Sequence, residues 1–516
     1  MHLIVKIFST IILFVVLQIL TTESVRSDMG LMINIDSAEF FITQTAEQMS
    51  IKGLNDFVDQ FARLKVSHLF FCPNAMKTSY RSKAWEAIWD LKGSQRPPRD
   101  ENAKRWVNNS RNLHEHGIDP FSIWISRCRG KKISPWLSVR MNDVHNADDI
   151  DSYIHNSFWR EHPDYWRVPY GSTGSWVKRA LDFSIPQVRE YYMSLIRELL
   201  ERYNPDGLEL DWMRFPYYFK SGKEGEGCEI LTKFMKDIRS LTKEWSAKRG
   251  HAIMLGARVP VHPDVAKGLG MDGVRWVREG IVDMLVPTPF FATADFDIPI
   301  ELWLEHIKDS SNKIIIAAGQ ERLLRAYPDA PPASNNIESL CGFSVAHLYR
   351  GANQIYLFNY MDINAMLEAS ETYRLLREKG FVMEEMIKMP RRHVVTYHDT
   401  VTSGVPNNVA LPVYGFKGGA FHIYIGPSPR SGKAHFIIGL EKKEDVMKAS
   451  FDTKINENIC KQVMTNIKTD KLPNVFREIW FECPVEFMKN GYNSITLKQS
   501  GLQKEQKIIW AELRID

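Results

Sequence analysis

Cysteine is scarce, six residues in 516 (Cys72, Cys128, Cys228, Cys341, Cys460, Cys483), and no two of them form a CxxC. Without such a motif or a tight Cys/His pairing, no zinc site is expected, and no other metal is called for. Cys460 with Cys483 is the one pair considered for a disulfide, and buried thiols are the reading for the rest. Basic blocks interleaved with aromatics are also missing. The formal charge of +4 is spread along the chain, so nucleic acid is not an expected partner. No glycine-rich phosphate turn follows the first strand-like run, and no ATP, nicotinamide or flavin fingerprint is visible; no cofactor is expected. Beyond residue 20 no apolar run is long enough to span a membrane.

The chain is 44% hydrophobic and 25% charged, ample for a large core and too long for one average domain. Fourteen tryptophans suit stacking on sugar rings, although core packing accounts for most of them. At the N-terminus Lys6 precedes an apolar run over residues 7–20, and the small residues Thr22 and Ser24 follow. This is the pattern of an export signal over residues 1–28 and implies a secreted or periplasmic protein. A retained N-terminal anchor is the alternative.

From residue 29 to about 392, apolar runs alternate with amphipathic helical stretches. Eight strand candidates fall at 30–37, 66–74, 133–142, 206–212, 252–261, 281–290, 313–320 and 352–360. The segment 186–203 places Val188, Tyr191, Tyr192, Leu195 and Leu199 at helical spacing before the fourth strand. Eight strands separated by helices predict a (β/α)₈ barrel, with a doubly wound open sheet as the alternative. Over 393–516 the texture changes to short strand-like runs broken by Gly, Pro and Asn, which predicts an all-β sandwich. Such a domain binds carbohydrate, mediates a homodimer or buttresses the barrel, and the structural roles are favoured.

Barrel active sites lie at the C-terminal ends of the strands. There the sequence places Asp36 beside Asn34, Arg140 and Asn142 with His145 beyond, Glu209 and Asp211 with Arg214 beyond, Arg258, and Asn359. Each has a plainer reading when taken singly. Asp36 would cap a helix, Glu209 and Asp211 would neutralise arginines, and His145 would be an ordinary loop residue. Their convergence on one mouth argues for a site. Two carboxylates are the equipment of a glycosidase, and the arginines suit a planar carboxylate on the sugar. An anionic sugar, sialic acid before uronic acids, is therefore the sharper expectation.

Four segments, MINIDS, SVRMNDVHNA, DGLELDWMRFP and YLFNYMD, carry a resemblance to the inverting exo-sialidases of glycoside hydrolase family 156. The resemblance runs from about residue 29 to the end and implies a barrel followed by a β-sandwich. It implies Asp36 and His145 as the catalytic centre, and Arg140, Arg214 and Asn359 around the substrate carboxylate. Asn142, Asp211 and Glu209 join the expected substrate-binding set. Two rivals stand beside it: a barrel glycosidase for neutral or uronic sugars that uses Glu209 and Asp211, and a non-catalytic barrel that binds sialylated or other anionic glycans. The S-x-D-x-G-x-x-W boxes of propeller sialidases are missing.

Overall fold

The computed structural model describes residues 30–170, 176–359, 374, 378–402, 405, 409–464, 472–501 and 504–516. The export-signal reading, and Tyr360 and Asp362 beyond the eighth strand, lie outside these residues.

Eight parallel strands close into a barrel: β1 (Met32–Ile35), β2 (His68–Phe71), β3 (Ser134–Arg140), β4 (Gly207–Asp211), β5 (Met254–Pro260), β6 (Met284–Thr288), β7 (Ile315–Gln320) and β8 (Gln354–Leu357). Every one falls inside a run expected from the sequence. β1 pairs with β2 and β8, and each remaining strand pairs with its sequence neighbours, so the order round the barrel follows the chain. The strands are buried on both faces because helices wrap the outside, which is why they read as nearly continuous apolar runs. Helix α1 (Pro186–Arg202) begins with proline at its first turn, where a missing N–H costs nothing. It buries Val188, Tyr192, Leu195, Ile196 and Leu199 along one face.

Alternation decides what fills the barrel. Its lower part is a packed cluster of Met32, Phe70, Trp136, Met284, Val286, Ala317, Tyr356 and Phe358. Trp136 lies so close to β4 that a Cβ on Gly207 would stand 2.3 Å from the indole, so this position accepts only glycine. Above the plug the inward row turns polar: Asp36, Arg140, Asp211, Arg258 and Thr288 occupy the C-terminal ends of their strands.

A second, antiparallel sheet-rich domain begins at Arg391–Val394; among the described residues eight of its nine strands follow one hydrogen-bonded path, and the ninth, Val413–Tyr414, pairs off it with Lys507–Ile515. The strand Asn458–Val463 crosses between two halves of this path. Its first half pairs with Ser450–Ile455 and its second with Arg477–Glu482, a sheet-switching corner of the kind sandwiches use. The hairpin Ser450–Val463 was not among the expected strands. Its outward positions are polar apart from Ile459, and its turn residues Asn456 and Glu457 both have positive φ. Helix α2 (Ile337–Tyr349) packs against this domain, and Gly342 permits the approach: a Cβ there would lie 2.1 Å from the carbonyl oxygen of Arg392. Among the described residues no helix is long and apolar enough to cross a membrane.

Candidate active site

The site is built on the end of β3. Asn74, just past β2, accepts from the N–H of Arg140 (3.3 Å) and donates to its carbonyl (3.1 Å), fixing the backbone from which the guanidinium projects. Arg140 bridges two carboxylates. One is Asp36, held by a short charged hydrogen bond from Nη2, and the other is Asp143 at 3.2 Å from Nη1. Asp143 in turn accepts from the Nδ1 of His145 at 2.6 Å and from its backbone N–H at 3.1 Å. The loop after β3 thus links Asp36, Arg140, Asp143 and His145 in one chain of charge-assisted bonds.

The electrostatics sort these groups. Burial acts to raise the pKa of Asp36, but Arg140 and Arg214, together with the N–H of Ala38, outweigh it and hold the carboxyl below its usual range. Burial likewise works against the charge of Asp143, and His145 and Arg140 outweigh it there. An ionised carboxylate only accepts, so the shared proton sits on Nδ1 of His145 and leaves Nε2 as the exchangeable position. The imidazole is 39% exposed, against 1% for Asp143, so the dyad has a buried orienting end and an accessible reactive end.

Arg214 completes the cationic part. Its Nη2 lies 3.8 Å from Asp36, its Nε makes no hydrogen bond, and its guanidinium packs over Phe358 and Phe291 with ring centroids at 5.0 and 5.7 Å. Burial and the like charge of Arg140 both lower its pKa, a cation short of counter-charge. Asn359, at φ 48°, turns the chain out of β8 and has an unpartnered buried Oδ1; the Nδ2 of Asn34 is also unpartnered. An aromatic wall of Phe215, Phe290, Phe291 and Trp176 closes one side, and Phe215 meets His145 edge-on at 5.1 Å. The loop 158–176 contributes Trp176 to it. Phe158 and Trp159 instead pack inward on Tyr191 and Trp166, and 171–175 lie outside the described residues.

The structure brings Asp36, Arg140, His145, Arg214 and Asn359 to this mouth. Asn142 does not join them. The chain leaves the strand after Arg140, and the Asn142 amide ties loops together, donating to the carbonyls of Leu181 and Tyr217 and accepting from the N–H of Leu181. Asp211 accepts from Arg258 at 2.7 Å and from the N–H of Met213 at 3.0 Å, so it serves as a counter-charge. Glu209 sits one layer lower, fully buried, and accepts from Ser138 at 2.6 Å and Tyr356 at 2.8 Å. Burial pushes its carboxyl up to about 7 against the pull of Arg258. Both carboxylates are buried, Asp211 committed to Arg258 and Glu209 with its Oε2 unpartnered in the layer below the mouth. Asp143 was not singled out from the sequence; its place two residues before His145 was the available signal, since that spacing lets an Asp cap its own loop. A cleft of about 770 Å³ lies at the opposite end of the barrel and is lined by Lys65, Arg129, Lys131, Lys132 and Asp206 among others. It contains none of these groups. Among the described residues no cluster of His, Cys, Asp or Glu could hold a metal ion.

Fold and site together define an eight-stranded parallel barrel with an ionisable cluster at its C-terminal mouth and an antiparallel β domain behind it. No family model matches the chain. Glycosyl hydrolase DigH from Escherichia coli K12 is 20% identical over 245 residues, covering 39% of this chain and 53% of that protein, and the Shigella flexneri DigH matches equally. The chain spans about half the length of the curated relatives it matches. Among solved structures, alpha-L-fucosidase isoenzyme 2 from Paenibacillus thiaminolyticus aligns over 68% of this chain and 48% of its own, with 11% identity and a TM-score of 0.42. The PgaB (BpsB) glycoside hydrolase domain from Bordetella bronchiseptica aligns over 68% and 98%, with 11% identity and a TM-score of 0.40.

Proposed function

We propose that this protein is a glycoside hydrolase that releases a terminal anionic sugar, sialic acid, from glycans with inversion at the anomeric carbon. The observation that carries the reading is the joint presence of Arg214, a buried arginine with unused donors, and the Asp143–His145 dyad at one barrel mouth. A neutral sugar has no need of the first, and a binding protein has no need of the second. The glycosyl hydrolase relatives support the reaction class. The export-like segment at the N-terminus fits a substrate met outside the cytoplasm.

In this reading Arg214 and Arg140 face the sugar carboxylate and orient the ring, with Asn359 offering its free carbonyl to a hydroxyl or N-acyl group. His145 takes a proton from water through Nε2 while Asp143 holds the ring and stabilises the imidazolium. Asp36, kept ionised by two arginines, faces the positive charge that builds on the ring in the transition state. Water attacks once, and no covalent intermediate forms.

The test is incubation of the purified protein with a fluorogenic α-sialoside, following the anomer of the released sugar by NMR. Early β-anomer is expected. Retention would overturn the single displacement. Cleavage of uronides or neutral glycosides in place of sialosides would overturn the substrate.

A further inference from the structure

A glycosidase needs a proton donor for the leaving oxygen as well as a base for water, and the groups described so far supply only one of the two. Asp36 is held ionised by Arg140 and Arg214, and Asp143 by His145 and Arg140. Inverting enzymes set acid and base on opposite faces of the scissile bond, about 6.5–9.5 Å apart. The donor therefore belongs across the mouth from His145. His145 follows β3, and in an eight-stranded barrel the strand opposite β3, four steps away in either direction, is β7.

The residue leaving β7 is Glu321. Ala317 belongs to the interior plug, so alternation carries the inward row through Gly319 to Glu321. Gly319 leaves the wall beneath it bare and presses on Thr288 of β6. Glu321 is 6% exposed. Its Oε1 accepts from the N–H of Arg322 at 2.7 Å, and its Oε2 is buried with no hydrogen-bond partner. The side chain of Asn335 holds its carbonyl at 2.7 Å. The charged groups around it are Arg214, Arg258 and Asp399, the last fixed by the N–H groups of Phe290, Phe291 and Ala292. An unpartnered carboxyl oxygen in a dry wall costs stability unless it is protonated or meets a ligand. Burial pushes this carboxyl up to about 7, against the N–H of Arg322 and the charges of Arg214 and Arg258, so near neutrality it carries a proton where Asp36 does not.

Resting on the glycosidase reading above, we propose that Glu321 is the general acid, protonating the glycosidic oxygen across the barrel mouth from His145. As the bond between the anomeric carbon and that oxygen breaks, the Glu321 proton passes to the departing oxygen. His145 takes one proton from the attacking water, whose oxygen bonds to the anomeric carbon. The two protein groups then exchange their proton balance with solvent, and the net reaction consumes one water.

Glu321→Gln, which keeps size and one acceptor, tests this with aryl sialosides of graded leaving-group acidity beside a natural linkage. Removing a general acid costs about 10²–10⁴ in rate where the leaving group needs a proton. The expected result is a loss of that size on the natural linkage and a far smaller one on a dinitrophenyl leaving group. The wild-type kcat/KM should also lose its alkaline limb, near pH 7, in the variant. Equal losses on every leaving group, or no loss, would overturn the proposal. Glu321→Asp serves as the folding control: a soluble variant with the wild-type leaving-group dependence would likewise count against a placed proton donor. Failure of the wild type to cleave any glycoside would instead overturn the glycosidase reading beneath it, and the two failures are distinguishable.

Discussion

Asp143 is the residue on which the chemistry of His145 turns. As an ionised acceptor it fixes the proton on Nδ1 and stabilises the imidazolium formed when Nε2 takes a proton. Asp143→Asn would present an amide that donates as readily as it accepts, allowing the opposite tautomer. We expect kcat to fall by about 10²–10⁴ with KM within a few-fold of wild type, as for an orienting carboxylate behind a histidine base. Steady-state kinetics on the released sugar measure this, and a change confined to KM would mean that Asp143 only shapes the pocket. At this scale the sequence reveals residue types and little about their pairing. Asp36 and Arg140 were legible because strand direction aims them, whereas Arg214, three residues past the end of β4, is placed by the loop. Asn142 misled because alternation stops where the strand stops.

Among the elements, β4 shows how one strand divides its labour. Gly207 admits Trp136, Glu209 is buried in the middle layer and Asp211 balances Arg258. Glu209 has a folded pKa of about 7 against an ordinary value of 4.5, so folding favours its neutral form. Below about pH 4.5 both states hold the proton and the group is neutral to stability. Between 4.5 and 7 the unfolded chain releases it while the folded chain keeps it, so stability falls as pH rises. The loss levels off above 7 at about 3 kcal/mol. Glu209→Gln removes this cost while keeping an acceptor for Ser138 and Tyr356. Relative to wild type, the variant should gain stability between pH 5 and pH 8 in denaturant titrations and retain turnover. Parallel pH profiles would show that Glu209 titrates normally, and lost turnover would restore it as a catalytic candidate. The eight barrel strands were legible as elements because burial on both faces makes them plain apolar runs. The hairpin Ser450–Val463 was not, since only alternate residues, such as Phe451, Thr453 and Ile455, are buried.

For the whole molecule, the second domain meets the barrel at several points: Asp399 accepts from the N–H groups of Phe290, Phe291 and Ala292, His398 pairs with Asp295, and one arginine at the end of α2 reaches both domains. Arg350, at the end of α2, is buried among Asp297, Glu301 at 2.8 Å and the Tyr492 hydroxyl at 3.0 Å, and its guanidinium lies 3.8 Å from the ring centroid of Tyr424. Asp297 and Glu301 belong to the barrel, whereas Tyr424 and Tyr492 belong to the sheet domain. Both carboxylates are nearly half exposed, so the ion pairs are screened and the packing matters as much as the charge. Arg350→Ala should destabilise the junction by about 1–3 kcal/mol. Calorimetry should show an earlier onset and a separation of the two domains' transitions. A single transition at the wild-type Tm would mean that the remaining contacts, those of α2, Asp399 and His398, suffice to couple them.

The amino-acid sequence by itself determined the eight-strand alternation and the change to antiparallel β structure. It also determined which side chains point into the barrel, because hydrophobic period and strand polarity are local properties. Tertiary structure alone decided which of those side chains meet. Asp36 finds Arg140 across 104 residues, and Glu321 gains its place from lying opposite β3, relations set by closure of the barrel. Burial, which raises one carboxyl and leaves another to be outweighed by arginines, exists only once the barrel has closed around both.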